Sequence, residues 1–293
     1  MKKTIFRGAC TALVTPFSAR GVDFNALDRL LETQLEAGIE ALVIGGTTGE
    51  AATLEHEELL ALIAHCVRVC GGKTKLIAGV GGNNTKRAAE NARAAAALGA
   101  DALLCVTPYY NRCTQDGLLA HYEALTAATE LPMLLYNVPA RTNVNISPET
   151  CAKLAALPAV AGIKEANPDV GRVLALHRAC GEDFPVYCGC DDRILAFMAC
   201  GALGAVSVLS NLRPKEVKAL ADAALRGEYN RALGLQRQQQ PLIDALSESV
   251  NPIPIKAALA LAGQDCGPCR LPLTGPEEAL TQRLQGLLAG KPA

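Results

Sequence analysis

Eight short apolar runs recur along the first three quarters of the chain, and this repetition constrains the fold more than any other feature. They are Ala9–Val14, Ala41–Ile44, Leu76–Val80, Ala102–Val106, Met133–Tyr136, Val160–Ile163, Pro185–Cys188 and Ala205–Leu209. Strand-like runs about thirty residues apart, each followed by a helix, predict a (β/α)8 TIM barrel. The intervening segments have helical period. In the first, Phe24, Leu27, Leu30, Leu31 and Leu35 share one face, Asp23 caps the start and Gly38 ends it. The second is read with Leu59, Leu60, Ile63 and Val67 on its buried face. Thr85 and Asp191 are expected to cap later helices, with Gly99 and Gly201 just past their ends.

An open doubly wound sheet is the rival architecture, but its first strand normally runs into a Gly-rich phosphate loop. Here Thr15-Pro16-Phe17-Ser18 follows instead. Gly79-Val80-Gly81-Gly82 does not open a helix at the dinucleotide-binding spacing. After about residue 227 the strands stop, and Glu228–Glu248, Pro254–Gly263 and Pro276–Leu288 read as helices. The expected organisation is a catalytic barrel over 1–227 and a small C-terminal helical appendage, 228–293, packed on it.

Composition removes several classes of function. With 293 residues the chain has enough length for a sizeable core. Its formal net charge of −1, with the signs scattered, gives no electrostatic case for nucleic acid or an anionic membrane. No apolar stretch approaches the roughly 20 residues that span a bilayer. Met1-Lys2-Lys3 opens the chain with a basic pair, but Arg7 interrupts the apolar stretch that a signal peptide needs, so a cytoplasmic protein is expected. The 12 cysteines are scattered among apolar positions such as Cys10, Cys66, Cys105 and Cys200, which suits small buried side chains in a reducing compartment. Cys266-Gly267-Pro268-Cys269 has the spacing of a thioredoxin-like redox motif, but it follows a helix rather than a buried strand. No second cysteine or histidine pair stands nearby at zinc-ligand spacing, so no metal is expected.

In a barrel of this type the reactive groups sit where strands give way to loops at the C-terminal face. The sixth run, Val160-Ala161-Gly162-Ile163-Lys164-Glu165, carries a lysine in apolar surroundings. Taking an ammonium out of water costs several kcal/mol and favours the neutral amine, which can attack a carbonyl to form an imine. By itself such a lysine could equally snorkel from the strand end into water. The second run leads into Gly45-Gly46-Thr47-Thr48-Gly49-Glu50, whose glycines admit a ligand to the backbone and whose hydroxyls suit a carboxylate. Read alone, it is equally a capped turn. The fourth run ends at Thr107-Pro108-Tyr109-Tyr110-Asn111, and the fifth at Tyr136-Asn137-Val138-Pro139-Ala140-Arg141-Thr142. A phenol beside an imine-forming lysine can shuttle protons, and an arginine can clamp a carboxylate through two bonds. Each also has an ordinary use, in packing or in a surface ion pair.

Taken together, Gly45–Glu50, Tyr136-Asn137-Val138-Pro139 with Arg141-Thr142, and Gly162-Ile163-Lys164-Glu165-Ala166 resemble the signature segments of the dihydrodipicolinate synthase family. The resemblance covers nearly the whole chain. That family belongs to the pyruvate-dependent, class I aldolase-like barrels, which include N-acetylneuraminate lyase. The resemblance implies that Lys164 forms a Schiff base with pyruvate and that Tyr136 gives and takes protons. It makes Thr47 and Tyr110 a proton relay, with Tyr110 reaching in from a neighbouring subunit. Thr48 would contact the pyruvate carboxylate, Gly189 and Val206 would supply backbone contacts, and Arg141 would hold the carboxylate of L-aspartate 4-semialdehyde. The implied reaction gives 4-hydroxy-tetrahydrodipicolinate, a step toward diaminopimelate and lysine, with no cofactor beyond the covalent lysine imine.

A homo-oligomer is implied, either a dimer or a tetramer built from tight dimers. Sister aldolases acting on N-acetylneuraminate or 2-keto-3-deoxy sugar acids share the lysine and tyrosine; the Thr47-Thr48 pair and Arg141 argue against them. A sensing barrel that has lost catalysis is disfavoured because lysine, tyrosine, threonine and arginine are all present. His56, Asn83 and Tyr109 match a lysine-effector site of sensitive relatives, but Arg87 stands where those carry a glutamate and Leu59 where a histidine is usual. A cation facing a dicationic ligand predicts weak or absent inhibition, which activity across a lysine titration would read.

Overall fold

The computed structural model describes residues 4–290; Met1-Lys2-Lys3, the basic opening, lies outside the described residues. Eight parallel strands close into a barrel: β1 (Gly8–Ala12), β2 (Ala41–Ile44), β3 (Lys75–Gly79), β4 (Ala102–Val106), β5 (Met133–Asn137), β6 (Val160–Glu165), β7 (Val186–Cys188) and β8 (Gly204–Ser207). Each strand pairs with the next, and β8 closes on β1 through Gly8↔Gly204 and Ala9↔Ala205. Closure leaves no unpaired edge. The expected (β/α)8 barrel is therefore present, and each of the eight apolar runs overlaps a strand.

Side chains alternate between two cores, as the two-residue period of a strand requires. Cys10, Ala41, Val43, Ile77, Leu104, Leu134, Tyr136, Tyr187 and Val206 fill the barrel interior. Leu42, Ile44, Leu103, Cys105, Leu135 and Ile163 face outward into a larger core shared with the helices. Helix Phe24–Ala37 buries Leu27, Leu30 and Leu31, each worth about 1.5–3 kcal/mol on removal from water. The Asp23 carboxylate accepts from the Ala26 N–H, and Gly38 takes the left-handed C-cap conformation, as the sequence suggests.

Three local expectations need correction. Helix His56–Cys70 buries Leu59, Leu62, Ile63, Cys66 and Cys70, whereas Leu60 and Val67 are half-buried. The buried stripe is turned from the expected one because cysteines take core positions on it. The cap of helix Thr85–Ala97 is Asn84, which accepts from the Arg87 N–H, while the Thr85 hydroxyl bonds His121 Nδ1 at 2.9 Å. Asp191 does not cap its own helix either: Oδ2 accepts from the Val208 and Leu209 N–H groups at 3.0 and 2.9 Å, tying the end of β7 to that of β8.

Helix Pro214–Leu225 packs against β1 and completes the barrel layer. Helices Tyr229–Ser247, Ile253–Leu261 and Glu278–Leu288 follow it. Among the described residues, no helix is long and apolar enough to cross a membrane.

Candidate active site

Strand β6 contains the feature that aims its lysine. Val160 and Ile163 both face the outer core although they are three residues apart, an odd separation that simple alternation forbids. The ladder accommodates it with a register shift: Val160 pairs with Met133, but Gly162 pairs with Leu134. Gly162 has φ +151°, and a Cβ there would lie 2.4 Å from the Pro185 carbonyl oxygen. A bulge of this kind re-aims the residues beyond it. Past it, Lys164 lies opposite Tyr136 and points into the barrel, while Glu165 lies opposite Asn137 and points out.

Lys164 is 5% exposed, and its Nζ stands 4.3 Å from the centroid of the Tyr136 ring. An ammonium over an aromatic face is attracted by the ring quadrupole. Gly189 leaves room for the lysine stem: a Cβ there would sit 3.1 Å from Lys164 Cε and 2.9 Å from Ala166 Cβ. Val206 is buried in the interior on β8. Outside the barrel wall, Glu165 accepts from Arg172 Nε at 2.8 Å, from Asn137 Nδ2 and from the Asn167 N–H. Burial pushes its carboxyl above the usual range, opposed by the Arg172 charge. This network fixes the two strand ends that carry Lys164 and Tyr136.

The loop after β2 turns tightly, with Glu50 N–H donating to Thr47 O at 3.1 Å and Ala51 N–H to Gly46 O at 3.2 Å. Gly45 has φ +66°, and a Cβ there would meet Leu59 Cδ1 at 2.5 Å. Thr48 is buried and its Oγ1 accepts from Asn251 Nδ2 at 3.0 Å. Arg141 is exposed and donates from Nη2 to the Asn251 carbonyl at 3.2 Å.

A cavity of about 480 Å³ opens over these strand ends, and Thr47, Tyr109, Tyr110, Tyr136, Arg141 and Asn251 are in its wall. Lys164, Thr48, Gly189 and Val206 are not; Lys164 meets the wall through the Tyr136 ring. Tyr110 is 92% exposed, in a left-handed backbone conformation at φ 68°. Of His56, Asn83, Arg87 and Tyr109, only Tyr109 lines the cavity. His56 Nδ1 bonds Asn91 at 2.9 Å, the Asn83 carbonyl accepts from Asn111 Nδ2, and Arg87 is exposed.

The sequence gives no role to Asn251 in the cavity wall, to the Asn137–Glu165–Arg172 network behind the strand ends, or to Lys256 and Arg270 in the C-terminal region. Nothing in Lys256's helical context or in Asn251's loop marks either residue. Cys266 and Cys269 are free thiols, pushed up by burial to about 12 and about 11, so both stay protonated at neutral pH. Among the described residues, no group of three or more His, Cys, Asp or Glu is placed to hold a metal ion.

The closed parallel barrel is the fold that the resemblance to the pyruvate-dependent barrel class leads one to expect, and it holds a buried lysine and a tyrosine paired on adjacent strands. The model of the dihydrodipicolinate synthetase family matches residues 5–290, and the chain belongs to that family. A 4-hydroxy-tetrahydrodipicolinate synthase from Exiguobacterium sibiricum is 49% identical over 94% of each chain. The crystal structure of dihydrodipicolinate synthase from Thermotoga maritima superposes with a TM-score of 0.95 at 39% identity, covering 98% of this chain and 99% of the other. The chloride-inhibited dihydrodipicolinate synthase from Acinetobacter baumannii, complexed with pyruvate, gives a TM-score of 0.95 at 41% identity over 98% of each chain.

Proposed function

We propose that this chain condenses pyruvate with L-aspartate 4-semialdehyde to 4-hydroxy-tetrahydrodipicolinate, through an imine on Lys164. The observation that carries the reading is the Lys164 Nζ held 4.3 Å over the Tyr136 ring from the adjacent strand. The Lys164 amine adds to the pyruvate ketone, and the carbinolamine loses water to give the imine. Removal of a methyl proton gives an enamine, whose carbon bonds the aldehyde carbon. The amine of the joined chain then displaces Lys164 from the imine carbon, closing the ring and freeing the enzyme. One water is released over the whole reaction.

In this reading Tyr136 moves protons to and from the carbinolamine, with Thr47 and Tyr110 relaying them. Thr48 receives the pyruvate carboxylate, Arg141 the aldehyde's carboxylate, and Gly189 and Val206 offer backbone contacts. The lysine imine is the only covalent group required. The exposure of Tyr110 at the cavity rim supports a role completed across a subunit contact, in a dimer or a tetramer of tight dimers. Residues 228–293 act as an appendage to the barrel, 1–227, supplying Asn251 to the cavity wall.

A coupled assay with both substrates, run beside N-acetylneuraminate as a control, tests the reading. Turnover of pyruvate with the aldehyde and none of the sugar acid supports it; the reverse preference would overturn it.

A further inference from the structure

Glu50 ends the Gly45–Glu50 loop in a left-handed conformation, φ 56°, unusual for a residue with a side chain. Its carboxylate is held on both oxygens by the C-terminal helical region. Lys256 Nζ lies 2.6 Å from Oε1, with side chains 4% and 1% exposed, and the Arg270 N–H donates to Oε2 at 2.8 Å. Lys256 is itself fixed by donating to the Pro268 carbonyl at 3.2 Å and by the Phe17 ring, 4.5 Å away. The guanidinium of Arg270 lies over the same ring at 4.0 Å and pairs with Glu58.

The Cys266-Gly267-Pro268-Cys269 segment takes its place in this arrangement. The Phe17 N–H donates to Cys266 O at 2.9 Å. Gly267, at φ +67°, passes so close to Phe17 that a Cβ would lie 1.8 Å from its carbonyl oxygen. The motif is an anchoring turn rather than a redox pair.

Stability alone does not account for such a pair. Replacing a buried ion pair with well-packed apolar side chains is often neutral or stabilising, because both charges are desolvated. What the pair does fix is geometry. It holds Glu50, two residues from Thr48, while Asn251 from the same region donates to the Thr48 hydroxyl. We propose that Lys256 is a positioning residue: with Asn251, it lets the C-terminal region hold the Thr47-Thr48 loop in its pyruvate-binding conformation. The proposal rests on the function proposed above.

The double variant Glu50→Gln/Lys256→Met removes both charges together, so neither is left buried alone. Misplacing a binding group by about an ångström can cost on the order of a hundredfold, so a rise of roughly tenfold or more in pyruvate KM is expected. Borohydride trapping at Lys164 below saturating pyruvate should fall in proportion, while the aldehyde KM and the thermal midpoint stay near wild type. Asn251→Ala, which cuts only one part-buried bond, should raise pyruvate KM in the same direction and decides the matter if the double variant does not fold. Wild-type pyruvate KM and trapping in the folded variants would make Lys256 merely structural and overturn the proposal. Wild-type protein that traps no pyruvate would instead defeat the proposed function itself.

Discussion

Lys164 stands opposite Tyr136 only because strand β6 carries one more residue than its neighbour over the same span. Met133 pairs with Val160 and Leu134 with Gly162, so Ala161 has no partner in that ladder. Were the ladder regular from Val160 onward, with Ala161 paired to Leu134, Lys164 would fall opposite Asn137 and turn toward the helices, and Glu165 would turn into the barrel. The bulge therefore determines which of two adjacent polar residues, Lys164 or Glu165, faces the barrel interior.

Gly162→Ala tests this relationship. The substitution puts a Cβ at φ +151° and against the Pro185 carbonyl, so the strand must shift or strain. We expect a stability loss of about 2 kcal/mol or more, read as a fall in thermal midpoint, together with slower imine trapping at Lys164. Wild-type values for both would mean that the bulge is incidental.

This point also marks the limit of what the sequence discloses. Lys164, Tyr136 and the Thr47-Thr48 loop are legible as candidates because chemistry-bearing residues at strand ends stand out against apolar runs and their segments resemble those of the family. The bulge is not, because Val160-Ala161-Gly162-Ile163 is apolar throughout and shows no period to break. Lys256 reads as one charge on a helix, and its partner Glu50 lies about two hundred residues away, so only the fold brings them together. The caps failed for a related reason: the Thr85 hydroxyl and the Asp191 carboxylate were recruited by distant groups, His121 and the 208–209 backbone.

Arg141 should serve the aldehyde rather than pyruvate. Its Nη2 holds the Asn251 carbonyl at the cavity wall, leaving the rest of the guanidinium for a carboxylate. Losing a charge-assisted pair costs a few kcal/mol, so Arg141→Ala should lower kcat/KM for the aldehyde by roughly a hundredfold. Imine trapping with pyruvate should persist; an equal collapse of trapping would assign Arg141 to the framework.

His121 should give the stability a pH dependence. Burial lowers it from 6.5 to about 4, with Nδ1 bonded to Thr85 Oγ1. Between those values the unfolded chain binds the proton that the native state refuses. The contribution is therefore complete above pH 6.5 and is lost as pH falls toward 4, by at most about 3 kcal/mol. Thermal midpoints of wild type and His121→Gln should differ in their change between pH 7 and pH 5, with the variant falling less. Parallel curves would show that His121 does not control this loss.

If Tyr110 completes a neighbour's site, two inactive variants should repair each other. Tyr110→Phe keeps the ring and removes the relay hydroxyl, while Lys164→Ala removes the nucleophile. Mixed under conditions of subunit exchange, they should recover part of the activity, since one site of each hybrid holds both groups. No recovery in a preparation with demonstrated hybrids would place Tyr110 in its own chain's site.

The central claim is that Lys164 is the covalent residue, and trapping tests it most directly. Incubation with pyruvate and borohydride, followed by peptide mass mapping, should find the reduced pyruvyl adduct on one peptide, the one containing Lys164. An adduct on a different lysine, or none at saturating pyruvate, would contradict the account.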